Sequence, residues 1–99
     1  ETPLESAQRE LHEETGFGGG EWTHLMTISP NTSSVNNQCH CFVARGVKRV
    51  SAPHQEATED ISVHFLTVDE VRSLLLHNEI KQALMLAPLW RYFAEHHLW

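Results

Sequence analysis

The spacing of apolar residues changes period several times along the chain, and the changes divide it into elements. From Leu4 the apolar positions Ala7 and Leu11 recur three or four apart, with Thr15 extending the same face, which predicts an amphipathic helix over about residues 2–15. Thr2 stands at its N-cap, Pro3 at its first position, and Glu5 completes a capping box. Gly16 is a natural stop, because it accepts a left-handed conformation. Gly18-Gly19-Gly20 reads as a flexible turn and Trp22 to Ile28 as a strand. Ser29 to Asn37 is polar and reads as a loop. Gln38 to Val47 alternates most clearly, with Cys39, Cys41 and Val43 set against Gln38, His40, Phe42 and Ala44. Both sides carry apolar residues, which predicts a strand in the interior of a sheet.

Lys48 to Asp60 reads as a loop, basic at its start and acidic at its end. Ile61, Val63 and Phe65 alternate and predict another strand. Thr67-Val68-Asp69-Glu70 is a second capping box, opening a helix that ends near His77-Asn78. A last helix is expected from about Glu79 to His96, kinked or split at Pro88 because proline removes a backbone donor. Trp22, Trp90, Tyr92, Phe93 and Trp99 read as core or interface positions, with Trp90 and Phe93 packing inward together.

Composition narrows the function classes. With 99 residues the chain is one small domain or part of one. A formal net charge of −6 argues against a general nucleic-acid binder, which needs a basic stripe. No apolar run approaches the roughly 20 residues of a membrane span. No secretory leader opens the chain, so the expected compartment is the cytoplasm. The two cysteines, Cys39 and Cys41, are too close for an ordinary disulfide framework, and no second pair completes a zinc site. They read as half-buried strand thiols in a reducing compartment. His40 falls on the opposite side of the strand from both.

The first helix carries the candidate chemistry. Glu10, Glu13 and Glu14 lie at i, i+3 and i+4, so their carboxylates share a face. Like charges at that spacing repel, and a hard divalent cation relieves the repulsion. A solvated acidic helix face explains the same spacing, and spacing alone leaves both readings open.

The exact string says more. Glu1, seven further residues, then Arg9-Glu10-Leu11-His12-Glu13-Glu14-Thr15-Gly16-Phe17 resembles the Nudix box, G-x5-E-x7-R-E-U-x-E-E-x-G-U, where U is bulky and apolar. Every fixed position from the first Glu onward is matched, by Glu1, Arg9, Glu10, Leu11, Glu13, Glu14, Gly16 and Phe17. The opening Gly would lie six residues before Glu1, so the box begins part-way through.

The resemblance implies an α/β fold: the Nudix α/β/α sandwich with a mixed sheet, of which residues 1–99 form the C-terminal portion, with the N-terminal strands missing. It implies that Glu10, Glu13 and Glu14 bind Mg²⁺ or Mn²⁺, with Glu13 and Glu14 catalytic. It implies that Glu1, Arg9 and Gly16 support the box, Arg9 through ion pairs with Glu1 and one metal-binding Glu. The partner is then a nucleoside-diphosphate-type small molecule.

The downstream half, Glu59-Asp60-Ile61-Ser62-Val63-His64-Phe65-Leu66-Thr67, then Glu70 and Asn78-Glu79-Ile80-Lys81, resembles ADP-ribose pyrophosphatases. It departs from them in having Asn78 where their turn often has Gly. That resemblance implies cleavage of ADP-ribose to AMP and ribose 5-phosphate, with Glu56 or Glu59 as general base and Glu56 preferred. Two rival readings stay open: an inactive remnant serving as a binding or oligomerisation module, and a Nudix enzyme for nucleoside triphosphates, dinucleoside polyphosphates or NADH. The chain alone is expected to be inactive and to form a homo-oligomer, since unpaired sheet edges invite pairing.

Overall fold

The computed structural model describes residues 1–31, 37–53 and 62–99. The elements run α1 (Pro3–Thr15), β1 (Phe17–Gly18), β2 (Glu21–Ile28), β3 (Cys39–Arg45), β4 (Lys48–Arg49), α2 (Val68–Leu76) and α3 (Ala83–Glu95). The chain is thus of mixed α/β composition. Contacts divide it into two units, Glu1–His24 with Phe42–His64, and Leu25–Cys41 with Phe65–Trp99.

The first unit holds α1. The Thr2 hydroxyl accepts the Glu5 N–H at 3.1 Å, and the Glu5 carboxylate accepts the Thr2 N–H at 2.9 Å. The box therefore satisfies two of the donors that a helix start leaves unpaired. No residue of α1 is fully buried, and Leu4 is exposed while Ala7 and Leu11 are half-buried. After Gly16 the chain turns into β1, which pairs antiparallel with β4, Phe17 opposite Arg49 and Gly18 opposite Lys48. The Arg49 guanidinium sits 5.1 Å from the centre of the Phe17 ring. Gly18 is therefore a strand residue, and the turn is made by Gly19 and Gly20, both at positive φ. A side chain at Gly20 would meet the Arg45 carbonyl at 2.4 Å.

Strands β2 and β3 form the other two-stranded sheet. His24 meets Phe42 and Thr27 meets His40, so one strand advances as the other retreats and the pair is antiparallel. Among the described residues β3 has one strand neighbour, not two. The apolar residues on both its sides therefore do not mark an interior strand there.

The second unit is organised by α2 and α3. Its buried apolar residues are Leu75 and Phe93. Phe93 meets the Trp99 ring at 5.0 Å, and Trp90 lies 4.2 Å from Trp99. Trp90 is exposed at 41% and Trp99 at 45%, so the two indoles pack on each other at the surface and Trp90 is not buried beside Phe93. The Arg72 Nε donates to the Leu98 carbonyl at 2.6 Å, which fixes the C-terminal residues against α2.

Two expectations change. Residues 62–67 form no strand; Val63 and Phe65 are exposed, Phe65 at 71%, and Ile61 lies outside the described residues. Alternation gives a strand its two faces, but its hydrogen bonds must come from a neighbour, and none pairs with 62–67 among the described residues. The last helix starts at Ala83, not Glu79, and runs through Pro88 without splitting. Asn78 ends α2 in the left-handed region at φ 56, with the Glu79 N–H on the Leu74 carbonyl at 2.9 Å. Gln82 then caps α3 by accepting the Met85 N–H at 2.8 Å.

His97 ends α3 in the same way, at φ 52, with the Leu98 N–H on the Phe93 carbonyl at 3.0 Å. A left-handed conformation costs a residue with a Cβ about 1 kcal/mol or more, and asparagine bears it best. His97→Gly is therefore expected to stabilise the fold by about 0.5–1 kcal/mol, and Asn78→Gly by less. Urea unfolding followed by circular dichroism checks this; a lowered midpoint for His97→Gly would contradict it.

Candidate functional site: the acidic face of the first helix

Helical spacing brings Glu10, Glu13 and Glu14 to one side of α1, with Glu10 exposed and the other two half-buried. Arg9 lies between two carboxylates. Its Nη2 donates to Glu1 at 2.8 Å and its Nε to both Glu1 oxygens at 3.1 Å. Its Nη1 donates to both oxygens of Glu13 at 3.2 Å. Glu1, Arg9 and Glu13 thus form one linked group along the helix. These donated hydrogen bonds hold the Glu1 carboxyl below the usual carboxylate range and raise Arg9 further above its already high value. The three side chains are 42–46% exposed, so the ion pairs add little to folding. Their effect is orientation: Glu13 is held by both oxygens.

The other end of α1 is fixed by backbone. The Gly16 N–H caps the helix on the His12 carbonyl at 2.8 Å, and the Gly16 carbonyl accepts Val50 N–H at 2.8 Å and Ser51 N–H at 3.2 Å. Gly16 has φ 78, and a Cβ there would meet the Ser51 carbonyl oxygen at 2.1 Å. Thr15 Oγ1 donates to the Leu11 carbonyl at 2.6 Å and accepts the Phe17 N–H at 3.0 Å, carrying the helix end into β1. His12 Nε2 and Ser51 Oγ are 2.7 Å apart. Sequence reasoning missed the His12–Ser51 contact, because 39 residues separate the pair and neither belongs to a spacing pattern.

Glu56 and Glu59 lie outside the described residues. Among the described residues no three His, Cys, Asp or Glu side chains converge as a ready-made metal cage. The donor chemistry nonetheless fits a hard divalent cation. Carboxylate oxygens on an open helix face suit Mg²⁺, which keeps several waters and takes one or two protein carboxylates beside substrate phosphate. His40 turns to Thr27, its Nδ1 3.1 Å from the hydroxyl. Cys39 and Cys41 bring their sulfurs within 4.0 Å of each other. Burial first, and then its neighbour Cys39, pushes the Cys41 thiol up to about 11. Trp22 donates its indole N–H to the Gly19 carbonyl at 2.9 Å, which anchors the turn.

The same ordered string of residues decides the family, because the NUDIX domain profile matches residues 1–87. The chain belongs to the Nudix family. A curated relative, the CMP-5'-(N-acetyl-N-hydroxy-3-aminopropyl)phosphonate hydrolase of Streptomyces rubellomurinus (strain ATCC 31215), is 35% identical over 75 residues. That match takes in 76% of this chain and 36% of the relative, so the chain spans little more than a third of that protein. Nudix hydrolases generally use divalent metal ions and act on nucleoside-diphosphate-linked small molecules. Among the described residues of this Nudix chain, no helix is long and apolar enough to cross a membrane.

Two outcomes follow from this geometry. Gly16→Ala is expected to cost more than about 2 kcal/mol, since a left-handed alanine alone costs about 1–2 and the backbone clash adds to it. Thermal unfolding measures it, and a loss under about 1 kcal/mol would contradict the packing at Ser51. The second concerns pH. Glu1, held down by Arg9, and Glu5 and Glu70, held down by the Thr2 and Thr67 caps, sit below their ordinary value of 4.5. A carboxyl depressed in the fold contributes stability that is fully present above the ordinary value and lost as pH falls through the folded value. Proton-resolved NMR titration should find all three midpoints below 4.5. In Arg9→Gln the Glu1 midpoint should return toward the ordinary value while those of Glu5 and Glu70 stay low. An unmoved Glu1 would rule out Arg9 as the cause.

Proposed function

We propose that the protein to which this chain belongs hydrolyses the phosphorus anhydride of a nucleoside 5′-monophosphate-linked substrate with Mg²⁺ or Mn²⁺, ADP-ribose giving AMP and ribose 5-phosphate being its first substrate. The observation that carries the reading is the row Glu10, Glu13 and Glu14 on one helix side, with Glu13 tied to Glu1 through Arg9. The choice of ADP-ribose rests on the sequence pattern from Glu59 to Lys81. One specific observation favours a second substrate: the relative is named for a CMP-linked phosphonate. Both substrates join a nucleoside monophosphate to a second phosphorus group, so the same attack on phosphorus serves either.

In this reading Glu10, Glu13 and Glu14 hold the cation, with Glu13 and Glu14 indispensable to turnover. A divalent cation bound there neutralises diphosphate charge and lowers the pKa of a water. Arg9 restrains Glu13, so that a carboxylate which must face the substrate does not have to be ordered at each encounter. Glu56 or Glu59 takes the proton as water attacks one phosphorus, the bridging P–O bond breaks, and the two phosphate monoesters leave; Glu56 is the preferred base. Leu4, Leu76 and Met85 are exposed, and the reading includes a homo-oligomer that covers apolar surface of this kind.

Glu13→Gln and Glu14→Gln are each expected to lower kcat/KM by about 10²-fold or more with the fold intact, since each removes a metal carboxylate. Glu56→Gln lowers kcat by about 10²-fold if it is the base. The test is a product assay by chromatography on the whole protein with Mg²⁺, offering ADP-ribose, CDP-linked alcohols, a CMP-linked phosphonate and nucleoside triphosphates. Turnover of triphosphates alone would overturn the substrate class. A wild-type rate in Glu13→Gln would overturn the metal assignment.

A further inference from the structure

Cys39 and Cys41 lie outside the chemistry of α1, on one face of β3. Both are free and half-buried, so the sulfurs are partly shielded yet reachable. Their sulfurs lie 4.0 Å apart, at contact distance. Residues two apart on a strand stand about 6.7 Å apart at Cα, at the upper limit for a disulfide. Side-chain rotation brings two such sulfurs onto one cation without that constraint.

We propose that Cys39 and Cys41 form a two-thiolate site for a soft monovalent cation of the Cu(I) class. The number of ligands selects the metal. Structural zinc takes four protein ligands, and among the described residues no third His, Cys, Asp or Glu joins the two sulfurs. His40, the nearest candidate in sequence, points to Thr27. Thiolates favour soft cations, whereas Mg²⁺ prefers oxygen, so this pair does not compete for the cation of the acidic helix. Each thiol gives up one proton as its sulfur bonds the metal, so binding releases two protons and strengthens as pH rises.

The experiment uses the reduced whole chain under anaerobic conditions, with Cu(I) supplied from a colorimetric chelator. The wild type should withdraw one Cu(I) per chain, read by chelator absorbance and by native mass spectrometry. Cys39→Ser and Cys41→Ser should each weaken binding by more than about 100-fold, since even the loss of a ligand's supporting partner costs 10–100-fold. His40→Ala should bind as the wild type does, and excess Mg²⁺ should not displace the copper. Protection of the wild-type thiols from alkylation by bound Cu(I) needs no variant and reads the same site. Failure to withdraw Cu(I), full binding by either serine variant, loss of binding in His40→Ala, or unprotected thiols would each overturn the proposal.

Discussion

Three demands meet at Gly16. Its left-handed conformation lets its N–H close the last turn of α1 on His12. Its carbonyl receives the N–H groups of Val50 and Ser51 together. Its α-carbon lies so close under the Ser51 carbonyl that no Cβ can be inserted. The first demand alone would tolerate asparagine at modest cost, as Asn78 does at the end of α2. The third allows only glycine. Because the next residue is already in β1, the turn also sets the register of Phe17 on Arg49 and places the guanidinium over the ring. The carboxylates of Glu13 and Glu14 sit in the turn of helix that this junction holds still.

Electrostatics shapes the rest of α1. Three carboxylates spaced for mutual repulsion weaken a helix by themselves. Against that repulsion α1 has its capping box, while the Arg9 guanidinium faces Glu1 on one side and Glu13 on the other. Exposed ion pairs contribute little to stability, so the effect of Arg9 is on where Glu13 points. Glu13 is offered in a fixed direction, while exposed Glu10 is left to adjust. That asymmetry suits a cation that keeps part of its water shell and takes its remaining ligands from what it meets.

The parts legible in the sequence are those written locally. Both capping boxes, the stop at Gly16, the strands around Trp22–Ile28 and Cys39–Arg45, and the α2 boundary at Asn78 depend on residues a few positions apart. What stayed hidden depends on partners far along the chain. Strand β4 exists because Phe17 pairs with Arg49, and nothing in Lys48-Arg49 announces it. Residues 62–67 have a strand's alternation, but among the described residues no strand pairs with them. Pro88 predicts a kink or a split, yet α3 continues through it to Glu95, with Phe93 beyond it buried against Trp99. Trp90 has the right spacing from Phe93, three residues, but it packs on Trp99 at the surface, where both indoles stay exposed. The candidate site was legible to the extent that its residues form one helix; the contact between His12 and Ser51 was not.

The donor atoms of this chain sort by hardness as well as by place. Glu10, Glu13 and Glu14 offer oxygen donors along one side of α1. The sulfurs are on β3, where partial burial keeps the Cys41 thiol protonated until something displaces the proton. A hydrated divalent cation gains little from a half-buried thiol, because it would surrender water for a ligand it binds poorly. A soft cation gains little from an exposed carboxylate, for the converse reason. For the two proposed sites, discrimination therefore needs no gate. It follows from ligand hardness, carboxylate oxygen on α1 against thiolate sulfur on β3.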